Sequence, residues 1–189
     1  FVTSHSPTIT AKSDVNNISI LQRKQSIIQS FSFDELSEDD YPKESKRHLR
    51  KFLDTTKAQL FFANGVLLVE GVAEAIIIPI LAKKFLTEKI DLCKSGIELV
   101  NIGGVAFNHF GLLFNNDDER KRLLSKCAII TDSDPKDNGD ISDRAQKAKD
   151  LEKHNLKVCL ATHTLEHDLF EQSERNKAIM RDVYRKIHA

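Results

Sequence analysis

Net charge is the first thing this sequence lacks. Its 189 residues hold 28 Lys and Arg against 28 Asp and Glu. A protein held to nucleic acid by bulk charge alone shows a basic excess, so any such contact here must come from local patches or bound metal. A long apolar run is also missing. The most apolar stretch, Gly65 to Ala82, is interrupted by Glu70, Glu74 and Pro79, and its uncharged remainder falls far short of the roughly 20 residues that cross a bilayer. No basic start leads into an apolar segment, so no signal peptide is read. The three cysteines, Cys93, Cys127 and Cys159, are odd in number and far apart, with no zinc spacing. Cys127 and Cys159 sit in strand-like runs, so buried thiols in a reducing cytoplasm are the expectation for these two. A Gly-x-x-x-x-Gly-Lys-Ser/Thr phosphate loop is absent, and the chain is not expected to bind and hydrolyse ATP by itself. What is present is a globular composition, 40% hydrophobic and 30% charged, enough for one core or one domain plus an appendage. The chain begins with Phe1 rather than Met, which suggests a start inside a longer polypeptide.

Along the chain, Phe1 to Ser4 reads as the end of a strand and Ser6-Pro7-Thr8 as a turn. Ile18 to Leu21 reads as a short strand, and the acidic stretch from Ser30 to Pro42 as a loop. Lys43 to Phe62 carries an apolar stripe of Leu49, Phe52, Leu53 and Leu60, which predicts a helix after Pro42. Its basic residues could guide a DNA backbone, though a solvated helix face explains them more simply. From Gly65 the texture changes. Gly65–Gly71 reads as a buried parallel strand, and Leu99–Ile102, Cys127–Thr131 and Leu156–Leu160 as further strands. Helices are expected at Ala73–Leu86, Val105–Phe114, about Glu119–Ser125, Ile141–His154 and Leu169–His188. The alternation predicts an α/β fold with a parallel sheet and flanking helices.

The carboxylates lie where such a sheet places its ligands. Glu70 ends the first of these strands, and Glu74 follows four residues later in the first turn of a helix, with Gly71 permitting the bend. Asp132 and Asp134 follow the third strand, and Glu166 the fourth. Open α/β sheets bind ligands outside the carboxyl ends of their strands. Carboxylates gathered there repel one another unless a cation neutralises them. A hard divalent ion does so through oxygen ligands, and two such ions can activate water and stabilise the leaving oxygen of a phosphodiester. Each residue alone has a plainer reading. Glu74 can serve the helix dipole, Asp132-Ser133-Asp134-Pro135 can be an ordinary turn, and Glu166 can be a surface residue. The joint occurrence at three strand ends favours a shared metal site.

These residues carry a resemblance. Val69-Glu70-Gly71 after an apolar strand, with Asp132-x-Asp134 after another, resembles the Toprim domain of topoisomerases, primases and certain nucleases. Phe61 to Glu74, Val100 to Phe107 and Thr164 to Leu169 are similar to segments of the OLD family (overcoming lysogenisation defect), in which an ABC-type ATPase precedes a Toprim nuclease domain. The resemblance implies a Rossmann-like Toprim fold over residues 63–189, preceded over 1–62 by the end of an ATPase domain and a linker helix. It implies that Glu70, Glu74, Asp132, Asp134 and Glu166 bind Mg²⁺ or Mn²⁺, as two ions, and that Glu70, Glu74 and Asp132 serve catalysis. Gly103 and Gly104 would let the backbone approach the metal or a phosphate, or form a plain loop. Val2 to Pro7 is similar to the histidine-switch segment of such ATPases, so His5 would contact ATP only in a full-length protein.

The activity implied is metal-dependent nicking or cutting of DNA, in phage defence or DNA processing. The implied partners are DNA, the chain's own N-terminal ATPase domain and a second copy, without a membrane and in the cytoplasm. The family's catalytic lysine lies C-terminal to Thr-Leu-Glu, the direction in which Lys177 and Lys186 are found. Two rivals stand beside this reading. A topoisomerase or primase fragment is one, but Tyr41 and Tyr184, the only tyrosines, sit near no motif. A non-catalytic, metal-binding regulatory module is the other. The histidines show no metal-ligand spacing, and only His163 and His167 border the proposed site.

Overall fold

A computed structural model describes residues 1–85, 91–104 and 106–188. Its centre is a parallel four-stranded sheet made of β3 (Gly65–Val69), β4 (Ile97–Asn101), β5 (Lys126–Thr131) and β6 (Leu156–Leu160), in the order β4-β3-β5-β6. A small antiparallel hairpin, β1 (Ser19–Lys24) and β2 (Ile27–Ser32), precedes it. The helices are α1 (Pro7–Lys12), α2 (Lys43–Phe52), α3 (Thr55–Ala58), α4 (Val72–Phe85), α5 (Phe107–Gly111), α6 (Asp143–Lys149), α7 (Leu165–Glu171) and α8 (Glu174–Ile187). This is the α/β architecture expected from the alternation, consistent with a Rossmann-like Toprim fold.

Strand β3 is the reason the sheet has this order. Its Gly-Val-Leu-Leu-Val run has no polar side to give to water, so it takes a partner on each edge. Leu67 pairs with Leu99 of β4 on one side and with Ala128 of β5 on the other. The chain leaves β3 toward β4, then returns across β3 to β5. Consecutive connections therefore diverge between β3 and β5, and their carboxyl ends open a crevice.

The apolar core runs from this sheet into the N-terminal block. Leu68, Val100, Phe110, Phe114, Ile129 and Leu156 share it with Val15, Phe31, Phe33, Tyr41 and Leu49. Phe33 meets Phe31, Tyr41 and Phe61 edge-on, with ring centroids 5.1, 5.9 and 6.0 Å away, the geometry that aromatic quadrupoles favour. Polar groups buried here have partners. The Tyr41 hydroxyl donates to the His109 carbonyl, and Ser45 Oγ and His109 Nδ1 share a hydrogen bond of 2.9 Å. His48 stacks on His109 at 4.2 Å, and burial pushes the pKa of both below the ordinary histidine value. Asp40 holds the acidic loop to the sheet's side of the molecule, accepting from Lys121 at 2.7 Å and Asn116 at 3.0 Å.

Several elements depart from the sequence reading. No regular strand occupies Phe1–Ser4. Ser6 instead caps α1, accepting from the Ile9 N–H with Pro7 in the first turn. Ser30–Pro42 is not all loop, because β2 runs through Ser32 and a 3₁₀ turn spans Phe33–Glu35. The helix expected over Lys43–Phe62 breaks at Leu53, where Asp54 accepts the Lys57 N–H and starts α3. The C-terminal helix divides in the same way at Ser173, which caps α8. Only a 3₁₀ turn, Glu119–Lys121, forms within Glu119–Ser125. Leu86 and Val105, the ends of two expected helices, lie outside the described residues. Among the described residues no helix is long and apolar enough to cross a membrane.

Candidate metal centre at the ends of the parallel strands

Register places the acidic residues. Val69 of β3 pairs with Ile130 of β5, so Glu70 emerges beside Thr131, one residue before Asp132. The Thr131 hydroxyl donates to Glu70 Oε2 at 2.8 Å. Glu74 lies in the first turn of α4 and is only 7% exposed. Its Oε2 accepts the Gly71 N–H at 2.9 Å. A Cβ added at Gly71 would meet that oxygen at 3.1 Å, so the glycine keeps the bend tight enough for the carboxylate to fold back.

The Asp132-Ser133-Asp134 segment is braced from its middle residue. Ser133 is buried, its N–H donates to the His163 carbonyl at 3.0 Å, and its hydroxyl donates to the Thr162 carbonyl at 2.6 Å. This ties the loop after β5 to the loop after β6 and leaves the two aspartates on the outer side. Asp132 Oδ1 accepts the Leu165 N–H at 3.0 Å. Burial, and then the charges of Glu70, Asp134 and Glu74, push the Asp132 pKa up to about 6, although the Leu165 N–H opposes the shift. Asp134 has a left-handed backbone, with φ of 41°. Its carboxylate is paired with Arg144, near the start of α6, and the other terminal nitrogen of Arg144 reaches Glu70 Oε1 at 3.0 Å.

The structure therefore brings Glu70, Glu74, Asp132 and Asp134 to one crevice. Glu166 stands apart from them. It is exposed in the first turn of α7, one residue beyond the Leu165 amide that Asp132 holds. Gly103 and Gly104 both have positive φ, 67° and 132°, and the Gly104 N–H donates to the Glu70 carbonyl at 2.9 Å. The pair thus supports the backbone under Glu70. With nothing within 4 Å of a Cβ at either position, conformation rather than space calls for glycine there. His163 and His167 lie side by side at 4.4 Å. His5 is exposed and 6.4 Å from the Phe62 ring. Lys177 pairs with Glu171 and Glu174 at 3.0 and 3.2 Å, and Lys186 with Asp182 at 2.7 Å.

Among the described residues, no group of three or more His, Cys, Asp or Glu side chains is drawn together as a finished metal site. All four carboxylates are turned to protein donors instead: Glu70 to Thr131 and Arg144, Glu74 to Gly71, Asp132 to Leu165, and Asp134 to Arg144. The donor chemistry nevertheless fits a hard divalent ion. Oxygen ligands converge there, and burial, with the neighbouring carboxylates adding to it, holds Asp132 above the ordinary carboxyl value. Sequence reasoning missed Arg144, Thr131 and Ser133. Nothing in the run Asp143-Arg144-Ala145-Gln146-Lys147 marks one cation above another. Its place in the first turn of α6, where it reaches Glu70 and Asp134, sets Arg144 apart.

Comparison with known proteins bears on the fold that carries these residues. Residues 61–134 match the family described as overcoming lysogenization defect protein-like, TOPRIM domain. No curated protein matches the chain. The matched segment, less than half the sequence, runs from Phe61, in the 3₁₀ turn after α3, through Asp134 and contains Glu70, Glu74, Asp132 and Asp134. It supports a Toprim domain of OLD type, a class of nucleic-acid-processing, metal-binding domains.

Proposed function

We propose that this chain is the nuclease part of an ATP-coupled protein of OLD type, hydrolysing DNA phosphodiesters with Mg²⁺ or Mn²⁺ in phage defence or DNA processing. The observation that carries the reading is geometric: Glu70 and Asp132 leave the paired strands β3 and β5 side by side, and Arg144 joins Glu70 to Asp134, while burial, and after it the neighbouring charges, push Asp132 up to about 6. Such a group is poised either to take a metal or to move a proton near neutrality. Glu70, Asp132 and Asp134 would hold the first ion, and Glu74 and Glu166 would complete a two-ion set. When bound, the ions supply charge for the phosphate and lower the pKa of a water. Glu70 or Glu74 would handle the proton. Ser133 fixes the separation of the two aspartates, while Gly103 and Gly104 hold the backbone carrying Glu70.

In this reading residues 63–189 form the Toprim domain. Residues 1–62 belong to the end of the ATPase domain and its linker, with His5 as the ATP-sensing histidine in a longer, cytoplasmic, homodimeric protein. The experiment is plasmid cleavage by the full-length protein with Mn²⁺. Glu70→Ala and Asp132→Ala should each abolish cutting, and cleavage that survives both substitutions ends the nuclease reading. A regulatory, non-catalytic module is the second reading, favoured by Arg144 already pairing with Glu70 and Asp134 as a structural ion pair would. It requires metal binding without any cleavage by the unaltered protein.

A further inference from the structure

Arg144 is a single cation set among four carboxylates, and its own hydrogen bonding is incomplete. Its terminal nitrogens reach Glu70 and Asp134, while its Nε is buried with no hydrogen-bond partner among the described residues. A buried donor left unpaired is a cost that most side chains avoid. Arg144 also meets only two of the four carboxylates, while Glu74 and Asp132 accept from the backbone N–H groups of Gly71 and Leu165. A guanidinium binds carboxylate oxygens near 3 Å, whereas Mg²⁺ or Mn²⁺ brings twice the charge to roughly 2.1 Å.

The same arginine has somewhere to go. It lines a cavity of about 640 Å³ between α5 and α6, together with Phe107, Asn108, Lys147, Asp150 and Leu151. That groove opens beside the crevice and offers the Asp150 carboxylate and the Asn108 side chain as alternative polar partners.

We propose that Arg144 is an internal counter-ion that occupies the crevice by bridging Glu70 and Asp134, and that a divalent cation must displace it toward the α5–α6 groove to bind. Arg144 is thus a positioning residue that sets the metal affinity of the site, and the inference rests on the metal reading above. Without metal, it stops the carboxylates from forcing the strand ends apart. With metal, it moves to the mouth of the groove, where with Lys147 it presents positive charge to a phosphate beside the ion.

The test is Mn²⁺ titration of the 189-residue chain by calorimetry, paired with thermal melts in EDTA and in Mn²⁺. Arg144→Gln removes the competitor and should bind Mn²⁺ about tenfold tighter than the unaltered chain. It should melt lower than the unaltered chain in EDTA and rise more on adding Mn²⁺, a crossing that loss of a purely structural contact would not give. Arg144→Lys keeps the charge but not the two-pronged bridge, and should tighten binding by roughly two- to threefold. If Arg144→Gln does not fold, Arg144→Lys alone decides. Equal or weaker binding in the folded variants, with binding intact in the unaltered chain, overturns the proposal and leaves the metal site standing. If neither the unaltered chain nor the variants bind Mn²⁺, the metal reading falls and takes this inference with it.

Discussion

Two buried polar regions of this molecule are built on opposite terms. Between α2 and α5, Tyr41, Ser45 and His109 are sunk in the aromatic core, and each has a neutral partner. At the strand ends, Glu70, Glu74, Asp132 and Asp134 are gathered where their charges oppose one another, with Arg144 as a partial remedy. The first arrangement spends polar groups on specifying how the N-terminal block seats against the sheet. The second holds like charges together at an electrostatic cost, to which burial adds at Asp132. Substitution should therefore have opposite signs in the two places.

The largest effect is expected in the core. Phe110→Ala empties a fully buried ring site and should cost about 3–5 kcal/mol, read by chemical denaturation of the chain. Tyr41→Phe is gentler. It leaves the His109 carbonyl without its donor in a dry environment and should cost about 1–2 kcal/mol. A loss below a few tenths for either would mean that the N-terminal block is not seated on the sheet by this core.

In the crevice the sign reverses. Asp132→Asn should stabilise the metal-free chain at pH 7 by of the order of 1 kcal/mol, after allowance for a group that is part exposed. The pH dependence follows from the direction of the shift. Unfolded, Asp132 releases its proton near the ordinary carboxyl value of 3.8, while folded it keeps it to about 6. Folding takes up a proton between those values, so this residue's contribution to stability falls as pH rises through the window, and the full penalty applies above it. The difference between the unaltered chain and Asp132→Asn should therefore be small below pH 4 and grow until pH 6–7. Melts in EDTA across that range measure it, and saturating Mn²⁺ should reverse it by stabilising only the unaltered chain. A flat difference would mean that Asp132 titrates as a solvated surface carboxyl.

How much of this could be read from the chain differs between the two regions for a physical reason. The apolar run at Gly65–Val69 announces a buried parallel strand, because a strand covered on both faces has no polar alternation; Leu156–Leu160, at the sheet's edge, keeps an alternation with Lys157 and Cys159 exposed. Carboxylates following such strands fall at a known edge, so Glu70, Asp132 and Asp134 are legible before any coordinate. Glu166 illustrates the limit. Its position after β6 is correct, but where its carboxylate goes depends on how α7 starts, which is fixed by Thr164 capping and the Leu165–Asp132 hydrogen bond. Arg144 was invisible for the same reason. It acts across the chain on residues 74 and 10 positions earlier, and no local pattern encodes that reach. The helix breaks at Asp54 and Ser173 were written in the sequence as capping residues, but were outweighed there by the longer apolar stripe.

The smallest prediction sharpens the contrast by placing backbone strain in each region. Gln25 and Asp134 both have left-handed backbones, with φ of 54° and 41°. Gln25 opens the two-residue turn of the β1–β2 hairpin, where Lys24 pairs with Ile27 and glycine is the usual occupant. Left-handed geometry costs a side-chain-bearing residue about 1–2 kcal/mol, and glycine gives back roughly 0.5–1 kcal/mol in chain entropy. Gln25→Gly should thus gain about 0.5 kcal/mol and leave Mn²⁺ binding unchanged. Asp134→Gly relieves similar backbone strain but removes a carboxylate that Arg144 and the proposed ion both use. It should bind Mn²⁺ more weakly, whatever it does to stability. If both substitutions left binding untouched, the strain at Asp134 would be an ordinary turn like that at Gln25, and the crevice would lose one of the features that set it apart from the hairpin.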